Sequence, residues 1–361
     1  MKIIHVLFNL RTGGTETMLI DIMNNQRAMG HDVTLLLIND GHEEHLLASV
    51  NPEVSVVRLN RREGSKNPLW WWRYNRALRI RRPDVVHVHN RKALALLSGP
   101  RSFKVVYTYH CIGDVNPYSS KADMLCAISQ AVAADVRTRG EGEPVVVYNG
   151  IEMSHLAVRR SEAPVGRQVK ILQIGSLNHH IKGQHVTLSA LPLMKHGDVA
   201  VDFVGDGASR AMLEELAAEL GLQSRVRFRG KMSRKELYGS IAGYDIALLP
   251  SLSEGFGLAL VEPMSAGLPV VVSDLPGPME VFAATGAGLS VPPGNAEALA
   301  EAIDAVIDGY DRFAAVAAAG REAVSRRFSI VNTVEHYIEL YKPATGGNRL
   351  KSHNGVNRKD G

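Results

Sequence analysis

The sequence contains only two cysteines, Cys111 and Cys126, among 361 residues. Their separation fits neither a metal-binding nor a redox motif, so two reduced thiols in a cytoplasmic protein are expected. No run of about 18 apolar residues occurs, which argues against a membrane-spanning helix. Residues 1 to 8, with one early lysine and a short apolar run, predict a first β-strand rather than a signal peptide.

The composition is that of an ordinary globular protein, with 45% hydrophobic residues, 22% charged residues and a net charge of +4. A chain of this length can form two domains, each with its own core. Short apolar runs alternate with amphipathic or mixed stretches, which is the pattern of a parallel sheet wrapped by helices. A polar stretch from Ala157 to Arg167 interrupts this pattern and predicts a linker.

The sequence therefore predicts an α/β protein with two Rossmann-like, doubly wound parallel sheets that face each other across a cleft. The domains are expected at 1–160 and 165–328, and a disordered tail is expected at 343–361 because it has little to bury. Such sheets bind ligands at the carboxyl ends of their strands. The expected strands are 3–8, 33–38, 54–59, 85–89, 104–109, 145–148, 169–174, 199–204, 225–228, 246–249 and 269–272. The expected helices lie near 15–29, 69–82, 183–195, 207–220, 233–242, 258–266 and 295–308.

The most informative stretch, residues 251–270, contains a glycine-rich turn. The apolar run 245–250 before it predicts a buried strand, so Gly255, Phe256 and Gly257 fall where a strand turns into a helix. Backbone N–H groups and the helix dipole favour a phosphate at such a turn.

Two carboxylates flank this turn. Glu254 lies in it, and Glu262 is expected about two helical turns later. Carboxylates accept hydrogen bonds from vicinal hydroxyls, so one glutamate could hold a sugar and the other a ribose. The alternative is a helix cap at Glu254 and a solvated helix residue at Glu262.

The segment resembles the nucleotide-sugar-dependent glycosyltransferases of group 1, family 4, whose E-x7-E signature has this spacing and glycine pattern. The resemblance implies the GT-B fold, with a last helix at about 330–342 that packs back on the first domain. It also implies that the anomeric configuration is retained, with Glu254 holding donor-sugar hydroxyls and Glu262 the ribose. Further landmarks of the family are Gly13 to Glu16, Asp84 to His89, Tyr148 to Glu152, Ile174 and Gly175, Lys182 and Gly183, Val204 to Gly207, and Val226 to Gly230.

A second glycine pair, Gly13 and Gly14, follows the first expected strand. Its amides could face a phosphate, although a plain tight turn explains it almost as well. The stretch lacks the third glycine of a dinucleotide fingerprint, and no acidic residue follows at the required offset, which argues against NAD. The resemblance implies that Gly14 contacts the donor diphosphate.

Lys182 precedes Gly183 where a helix is expected to begin, and a cation there is unfavourable unless an anion shares the site. The resemblance implies that Lys182 neutralises the leaving diphosphate. The family usually adds an arginine at the position that Ser176 occupies here, so one charge is missing and catalytic rate or donor identity is left open. The cations that could compensate are Arg210, Arg229, His179 and His180.

His110 ends an expected strand, and the resemblance places it beside the donor sugar; the alternative is a hydrogen-bonded structural histidine. His87 and His89 share one face of their strand, but the sequence shows no third metal ligand nearby. We therefore expect a packing or cleft-lining role for them. Because no Asp-x-Asp triplet occurs, we expect metal-independent chemistry with no cofactor besides the donor substrate.

Between Arg58 and Arg82 there are nine basic residues and one acid, Glu63, with Trp70, Trp71 and Trp72 among them. Basic residues beside interfacial tryptophan suit an anionic membrane surface or a lipid-phosphate acceptor. A solvated arginine face over a buried aromatic face, formed by Trp70, Trp71, Tyr74, Ala77 and Leu78, is the alternative. No nucleic-acid recognition module accompanies these charges.

The sequence thus predicts a hexosyltransferase-type enzyme that moves a sugar from a UDP or GDP sugar to a hydroxyl acceptor. A glycan or lipid-linked glycan of bacterial surface polysaccharide or lipopolysaccharide is the family expectation. The two expected reduced thiols favour a cytoplasmic location, and the basic, tryptophan-containing segment would allow peripheral attachment to the inner face of the plasma membrane. The alternatives are a catalytically silent binding partner and another GT-B-like enzyme, such as a sugar-nucleotide epimerase or a phosphorylase. The expected catalytic residues are Glu254, Lys182 and His110. The expected donor-binding residues are Gly14, Ser176, Gly255, Phe256, Gly257, Leu258, Glu262, and Arg229 and Met232 near the nucleobase.

Overall fold

The computed structural model describes residues 1–11, 13–159 and 163–343. Part of the expected linker at 157–167, and the expected tail from residue 344 onward, lie outside the described residues. Within the described parts, the chain forms two parallel β-sheets with helices packed on them.

The first sheet has seven strands in the order β3-β2-β1-β4-β5-β6-β7. Its central strands are nearly continuous apolar runs, and every residue of the first strand after Lys2 is buried. This is the expected pattern for parallel strands that are covered on both faces. The strands are β1 Lys2–Leu7, β2 Asp32–Asn39, β3 Ser55–Arg61, β4 Val85–Val88, β5 Lys104–Tyr109, β6 Met124–Ala127 and β7 Val145–Val146.

The helices of this first half bury one apolar stripe each. In the first helix, Met18, Leu19, Ile22 and Met23 are buried at helical spacing. The helices are α1 Gly14–Ala28, α2 Glu44–Ala48, α3 Leu69–Arg81, α4 Arg91–Leu96 and α5 Gln130–Thr138, with a 3₁₀ turn at Ser119–Lys121.

The second sheet has six strands in the order β10-β9-β8-β11-β12-β13. Its strands are β8 Val169–Ile174, β9 Val199–Val204, β10 Val226–Gly230, β11 Ile246–Leu249, β12 Val270–Ser273 and β13 Gly288–Val291. The helices that follow the first half are α6 His179–Lys182, α7 Gln184–Ala190, α8 Arg210–Glu219, α9 Arg234–Ser240, α10 Leu258–Ala266, α11 Pro276–Phe282, α12 Ala296–Asp308, α13 Tyr310–Arg327 and α14 Ile330–Tyr341, with 3₁₀ turns at Leu191–Leu193 and Ile241–Gly243.

The chain passes between the two halves twice, and the two passages are hydrogen-bonded to each other. The Ile151 amide donates to the Phe328 carbonyl, and the Ile330 amide donates to the Ile151 carbonyl, both at 3.0 Å. A Cβ on Gly150 would lie 2.3 Å from the Ser329 carbonyl oxygen, so this approach requires glycine. The last helix, α14, then packs against α1 of the first half.

The predicted fold class is confirmed: both sheets are parallel and wrapped by helices. The elements that the sequence did not predict are β6, β13, α2, α4, α5, α6, α11 and α13. The strands β6 and β13 have only four residues each and lack a continuous β-branched run. The helix expected near 183–195 ends at Ala190, and Pro192 follows in a 3₁₀ turn because it has no N–H to continue the helix.

Candidate functional site

The strand order reverses once in each sheet, between β1 and β4 in the first and between β8 and β11 in the second. Loops that leave neighbouring strands at such a reversal diverge and form a crevice for ligands. In the second sheet these loops are 175–183 and 250–257. The fold therefore brings the two motifs that the sequence predicts for phosphate and sugar to one place.

Lys182 and Glu254 face each other in this crevice, with Nζ 2.5 Å from Oε2. Their side chains are 22% and 16% exposed, so the ion pair is largely shielded from water. The alkyl part of Lys182 lies along Gly175, where a Cβ would be 3.5 Å from its Cγ and Cδ atoms. Two of the three predicted catalytic residues are thus in direct contact, with opposite charges.

The prediction that a helix begins just after Lys182 is confirmed, because Gly183 is the N-cap of α7, but a short helix also ends at this point. Lys182 is the last residue of α6, and Gly183 follows it with φ of 65°, the left-handed conformation typical of a helix end. A cation is favourable at a helix C-terminus, so its position alone gives no argument for a bound anion. A Cβ on Gly183 would lie 2.0 Å from the Pro250 carbonyl oxygen, so glycine allows the two loops of the crevice to meet.

The glycine-rich turn of the second half lies against the first half of the molecule. A Cβ on Gly255 would be 3.2 Å from the Val132 side chain and 3.4 Å from Cα of Cys111. The Ser129 hydroxyl donates to the Gly255 carbonyl at 2.6 Å. Gly257 begins α10 with φ of 96° and, within the described chain, provides no side-chain cap, so the first N–H groups of α10 suit an anion.

Two predicted donor-binding residues of this turn have buried or half-buried side chains. Phe256 is 1% exposed, and its ring lies 5.9 Å from that of Tyr148 and 5.5 Å from that of Phe328. Leu258 is packed against the same core. Only the backbone of Phe256 is therefore available to a ligand.

Glu262 is the fifth residue of α10, about one helical turn after the helix begins. Burial raises the pKa of its carboxyl to about 7, while the nearby Arg234 and Tyr238 oppose the shift. Arg234 also donates two hydrogen bonds, of 2.8 and 2.6 Å, to Asp21 of α1. The sequence did not predict Arg234 as a site residue. The signal for it was a cation in the first turn of a helix, where the dipole disfavours positive charge.

The remaining residues predicted for the donor lie at the carboxyl ends of β8 and β10. Ser176 is exposed, and its carbonyl accepts a 2.8 Å hydrogen bond from Gln184. Arg229 is exposed with Nη1 3.6 Å from Asp202. Met232 is half-buried and packs against a hydrophobic cluster that contains residues of both halves.

The cations considered as substitutes for the missing arginine have partners of their own. Arg210 is 2.8 Å from Glu214 and 4.0 Å from Asp206, so two carboxylates offset its charge. His179 lies 2.8 Å from the Ser209 hydroxyl, and its ring centroid is 3.8 Å from that of His180. Both histidines are in α6, the helix that ends in Lys182.

Gly14 is the first residue of α1, which within the described residues has no side-chain cap. A Cβ on Gly14 would meet no described atom within 4 Å, so the space beside it is open. The N-terminus of α1 therefore offers backbone N–H groups at the carboxyl end of β1.

His110 follows β5, and burial lowers its pKa to about 4. Its Nε2 lies 3.1 Å from Nδ1 of His89. His87 and His89 are buried, as a packing role requires. The expectation that no third possible ligand lies near these two histidines is wrong, because His5 of β1 pairs with His87 in the sheet register. The register of adjacent parallel strands was the signal that could have revealed it.

The side chains of His5, His87 and His89 are close enough to hold a metal ion, with nitrogens within 4.8 Å of one another. Their nitrogens already serve hydrogen bonds, however: His87 alone lies 2.6 Å from the Tyr341 hydroxyl and 2.7 Å from the Thr108 hydroxyl. The observed bonds fit a structural cluster better than a metal centre.

Two family models match the chain. The one described as Glycosyltransferase Family 4 covers residues 12–155, and the one described as Glycosyl transferases group 1 covers residues 156–323. The chain belongs to the group 1, family 4 glycosyltransferases.

Relatives of this glycosyltransferase agree with the assignment. It is 25% identical over 342 residues to the lipopolysaccharide core biosynthesis glycosyltransferase LpsD of Rhizobium meliloti, covering 94% of this chain and 98% of LpsD. A match of 28% identity over 215 residues covers 56% of this chain and only 55% of an uncharacterized glycosyltransferase of Methanocaldococcus jannaschii. The Anabaena protein HepE, solved in complex with UDP and glucose, has the same fold, with a TM-score of 0.80, 24% identity, and 94% and 99% of the two chains covered.

The glycosyltransferase has a cavity of about 820 Å³ in its first half. Charged and aromatic side chains line it together, which is a suitable surface for a carbohydrate because sugars offer both hydroxyls and apolar faces. His110 forms part of the wall, so the cavity reaches the junction with the Gly255 turn. Residues of the wall include Phe8, Arg61, Trp70, Trp71, Arg91 and His110.

Helix α3 of the glycosyltransferase carries the basic, tryptophan-containing segment. Trp71 and Trp72 are 45% and 52% exposed, which contradicts the alternative in which Trp71 belongs to a buried face. Arg73 lies over the Trp70 ring at 4.6 Å, and Arg76 lies over the Trp72 ring at 5.4 Å. Among the described helices, none is long and apolar enough to cross a membrane. The buried face of α3 consists of Tyr74, Asn75, Ala77 and Leu78.

Proposed function

We propose that this glycosyltransferase moves a hexosyl group from a nucleoside diphosphate sugar to a hydroxyl acceptor and retains the anomeric configuration. The contact between Lys182 and Glu254 carries the proposal. It places a cation and a carboxylate side by side at the strand reversal where α/β sheets bind nucleotides.

Donor binding would exchange the partners of this ion pair. The diphosphate binds the Lys182 ammonium, while hydroxyls of the donor sugar donate hydrogen bonds to Glu254 and replace its contact with Lys182. Positive potential from Lys182 and from the N-terminus of α10 then stabilises the negative charge that develops on the leaving diphosphate. The N-terminus of α1 at Gly14 adds backbone donors from the first half.

The nucleoside is held on the other side of the turn. Ionised Glu262 accepts hydrogen bonds from the ribose hydroxyls, and the backbone from Arg229 to Met232 contacts the base. The HepE complex with UDP and glucose supports a UDP sugar, and a GDP sugar is the second donor class in the proposal. We propose that the reaction needs neither a metal ion nor a cofactor beyond the donor.

We propose a glycan or lipid-linked glycan of bacterial surface polysaccharide or lipopolysaccharide as the acceptor. The cavity of about 820 Å³ supports this, because charged and aromatic side chains that suit a carbohydrate line it and His110 forms part of its wall. The relative LpsD supports the lipopolysaccharide class. Trp70 and Trp71 line the cavity and belong to α3, so a lipid-bound acceptor can enter where α3 meets an anionic membrane surface. This arrangement fits a cytoplasmic enzyme attached peripherally to the membrane.

A thermal-shift panel with UDP, GDP, ADP, CMP and NAD tests the donor site, because a ligand of the folded state raises the melting temperature. We expect one nucleoside diphosphate to stabilise the protein and Glu262→Gln to weaken that shift. No shift with any nucleotide, or an equal shift in the variant, would contradict the nucleotide role of this site.

Donor hydrolysis without acceptor tests catalysis itself. We expect Lys182→Ala and Glu254→Gln to lower the hydrolysis rate about 100-fold or more, as for removal of a preorganised charge contact at the reacting centre. Arg101→Gln, which breaks an ion pair of 2.9 Å far from the crevice, is the matched control. Nucleotide binding without any turnover would favour the silent binding partner instead.

A further inference from the structure

Four histidines, His5, His87, His89 and His110, lie close together in the first half of the molecule, and only His110 is expected to lie beside the donor sugar. Three of them and Gln26 of α1 form one hydrogen-bonded row that runs from the interior to the wall of the cavity. We call this row, Gln26, His5, His89 and His110, the histidine chain.

The histidine chain is continuous. The Gln26 carbonyl oxygen Oε1 lies 2.8 Å from His5 Nε2. His5 Nδ1 lies 3.1 Å from His89 Nε2, and His89 Nδ1 lies 3.1 Å from His110 Nε2. Gln26, His5 and His89 are buried.

All three rings are neutral at neutral pH. Burial lowers the pKa of His5 and His110 to about 4, and it holds that of His89 well below its usual range. A neutral imidazole carries one ring proton, so one nitrogen donates and the other accepts.

The proton positions in such a row depend on one another. The Gln26 carbonyl only accepts, so His5 carries its proton on Nε2 and accepts at Nδ1. His89 must then donate from Nε2 and accept at Nδ1, and His110 must donate from Nε2. The proton position at the end of the row is therefore fixed as well: His110 Nδ1 carries no proton and can accept a hydrogen bond.

That nitrogen is the one that the protein leaves unused. His110 Nδ1 is buried and has no hydrogen-bond partner among the described residues, while His110 lines the cavity. The His110 carbonyl lies 3.5 Å from the place of a Cβ on Gly255, so the residue stands where the two halves meet. A buried acceptor without a donor is unfavourable, and a hydroxyl supplies that donor.

We propose that Gln26 is a positioning residue that acts through His5 and His89 to fix the proton of His110 on Nε2, so that Nδ1 accepts a hydrogen bond from a hydroxyl of the bound sugar. The identity of the ligand as a sugar rests on the proposed function. The proton positions do not, because they follow from the protein's own contacts.

The same contacts separate the histidine chain from a metal site. Each of the six ring nitrogens of His5, His87 and His89 already has a protein partner within 3.1 Å. His87 lies outside the chain, since it bonds to Tyr341 and Thr108. Thr108→Val therefore removes a buried hydrogen bond of the same cluster without interrupting the chain.

Nitrogen-15 NMR of protein labelled at histidine tests the inference, since long-range proton–nitrogen spectra distinguish the two neutral tautomers. We expect His110, assigned from the spectrum of His110→Gln, to carry its proton on Nε2. In Gln26→Met, which lacks the acceptor, the His110 signals should shift or split between the two tautomers. They should stay as in the wild type in Thr108→Val, which leaves the histidine chain intact.

A proton on Nδ1 of His110 in the wild-type protein would overturn the inference without any variant. Signals that do not change in Gln26→Met would overturn it too.

Calorimetric titration tests the consequence for binding. We expect Gln26→Met to lower the affinity for UDP-glucose about tenfold, which corresponds to roughly one hydrogen bond. The affinity for UDP should stay unchanged. An equal loss of affinity for UDP would indicate that the variant disrupts the whole binding site, and it would contradict a role specific to the sugar. Failure of wild-type protein to bind UDP-glucose would count against the proposed donor, while the tautomer spectrum would still decide the role of Gln26.

Discussion

Glu262 is a partly buried carboxyl that would make the proposed nucleotide binding depend on pH. Burial raises its pKa from 4.5 to about 7, so the folded protein holds a proton that the unfolded chain has released over this range. Stability from this group is fully present below pH 4.5 and is lost as pH rises to about 7. In the proposed ribose contact, the ionised form of Glu262 is the better acceptor, because hydrogen bonds to a charged carboxylate are stronger than those to a neutral carboxyl.

We expect Glu262→Gln to remove this pH dependence. The wild-type free energy of unfolding, measured relative to the variant, should fall by up to about 3 kcal/mol between pH 4.5 and pH 8, because burial raises the pKa from 4.5 to about 7. Urea unfolding of both proteins across this range gives the difference. A wild-type and variant difference that is constant with pH would contradict the raised pKa.

At the residue scale, the sequence identified the types of side chain at the site better than their contacts. Glu254 and Lys182 were both predicted, but they are 72 positions apart, and their contact depends on the adjacency of β8 and β11. Arg234 was missed because its partner Asp21 lies on the other half of the molecule.

At the scale of elements, α3 exposes tryptophan and arginine side chains together. Its buried face holds it on the protein, while Trp71, Trp72 and several arginines face outward. Tryptophan at a membrane interface and arginine beside anionic headgroups both contribute to peripheral binding, at about 1 kcal/mol per basic residue.

We expect the protein to sediment with anionic vesicles at low salt and to lose about tenfold in affinity when Trp71 and Trp72 are both replaced by alanine. Leu193→Ala, at an exposed apolar residue outside α3, is the matched control. Neutral vesicles should bind weakly. No sedimentation with anionic vesicles at low salt would exclude α3 as a membrane-binding element.

The elements themselves were largely predictable from apolar runs. Strands such as β2 and β9 are marked by buried aliphatic residues, whereas β6 and β13 are too short and mixed to stand out. The order of the strands was harder to predict from the sequence, because it depends on which apolar runs pair in space. His5 was missed for this reason: its role appears only when β1 lies beside β4.

At the scale of the whole molecule, the two halves are joined by direct polar contacts as well as by the two chain passages. The Glu280 carboxylate accepts hydrogen bonds from the Gln130 and Ala131 amides at 2.9 and 2.7 Å, which satisfies the N-terminus of α5 from across the cleft. Arg234 and Asp21 add an ion pair at 2.6 Å. These contacts hold the Gly255 turn close to His110, so the relative position of the halves decides whether the site is assembled.

Breaking the Arg234–Asp21 pair should therefore open the molecule. Each of Arg234→Gln and Asp21→Asn should lower stability by about 1–3 kcal/mol, the worth of hydrogen bonds between charged groups. The double variant should cost little more than one single change, because both remove the same contact. Small-angle X-ray scattering should show a larger radius of gyration for all three variants than for Asp123→Asn, whose ion pair with Arg101 lies within the first half. Equal radii for the two groups would mean that the pair does not control how the halves meet.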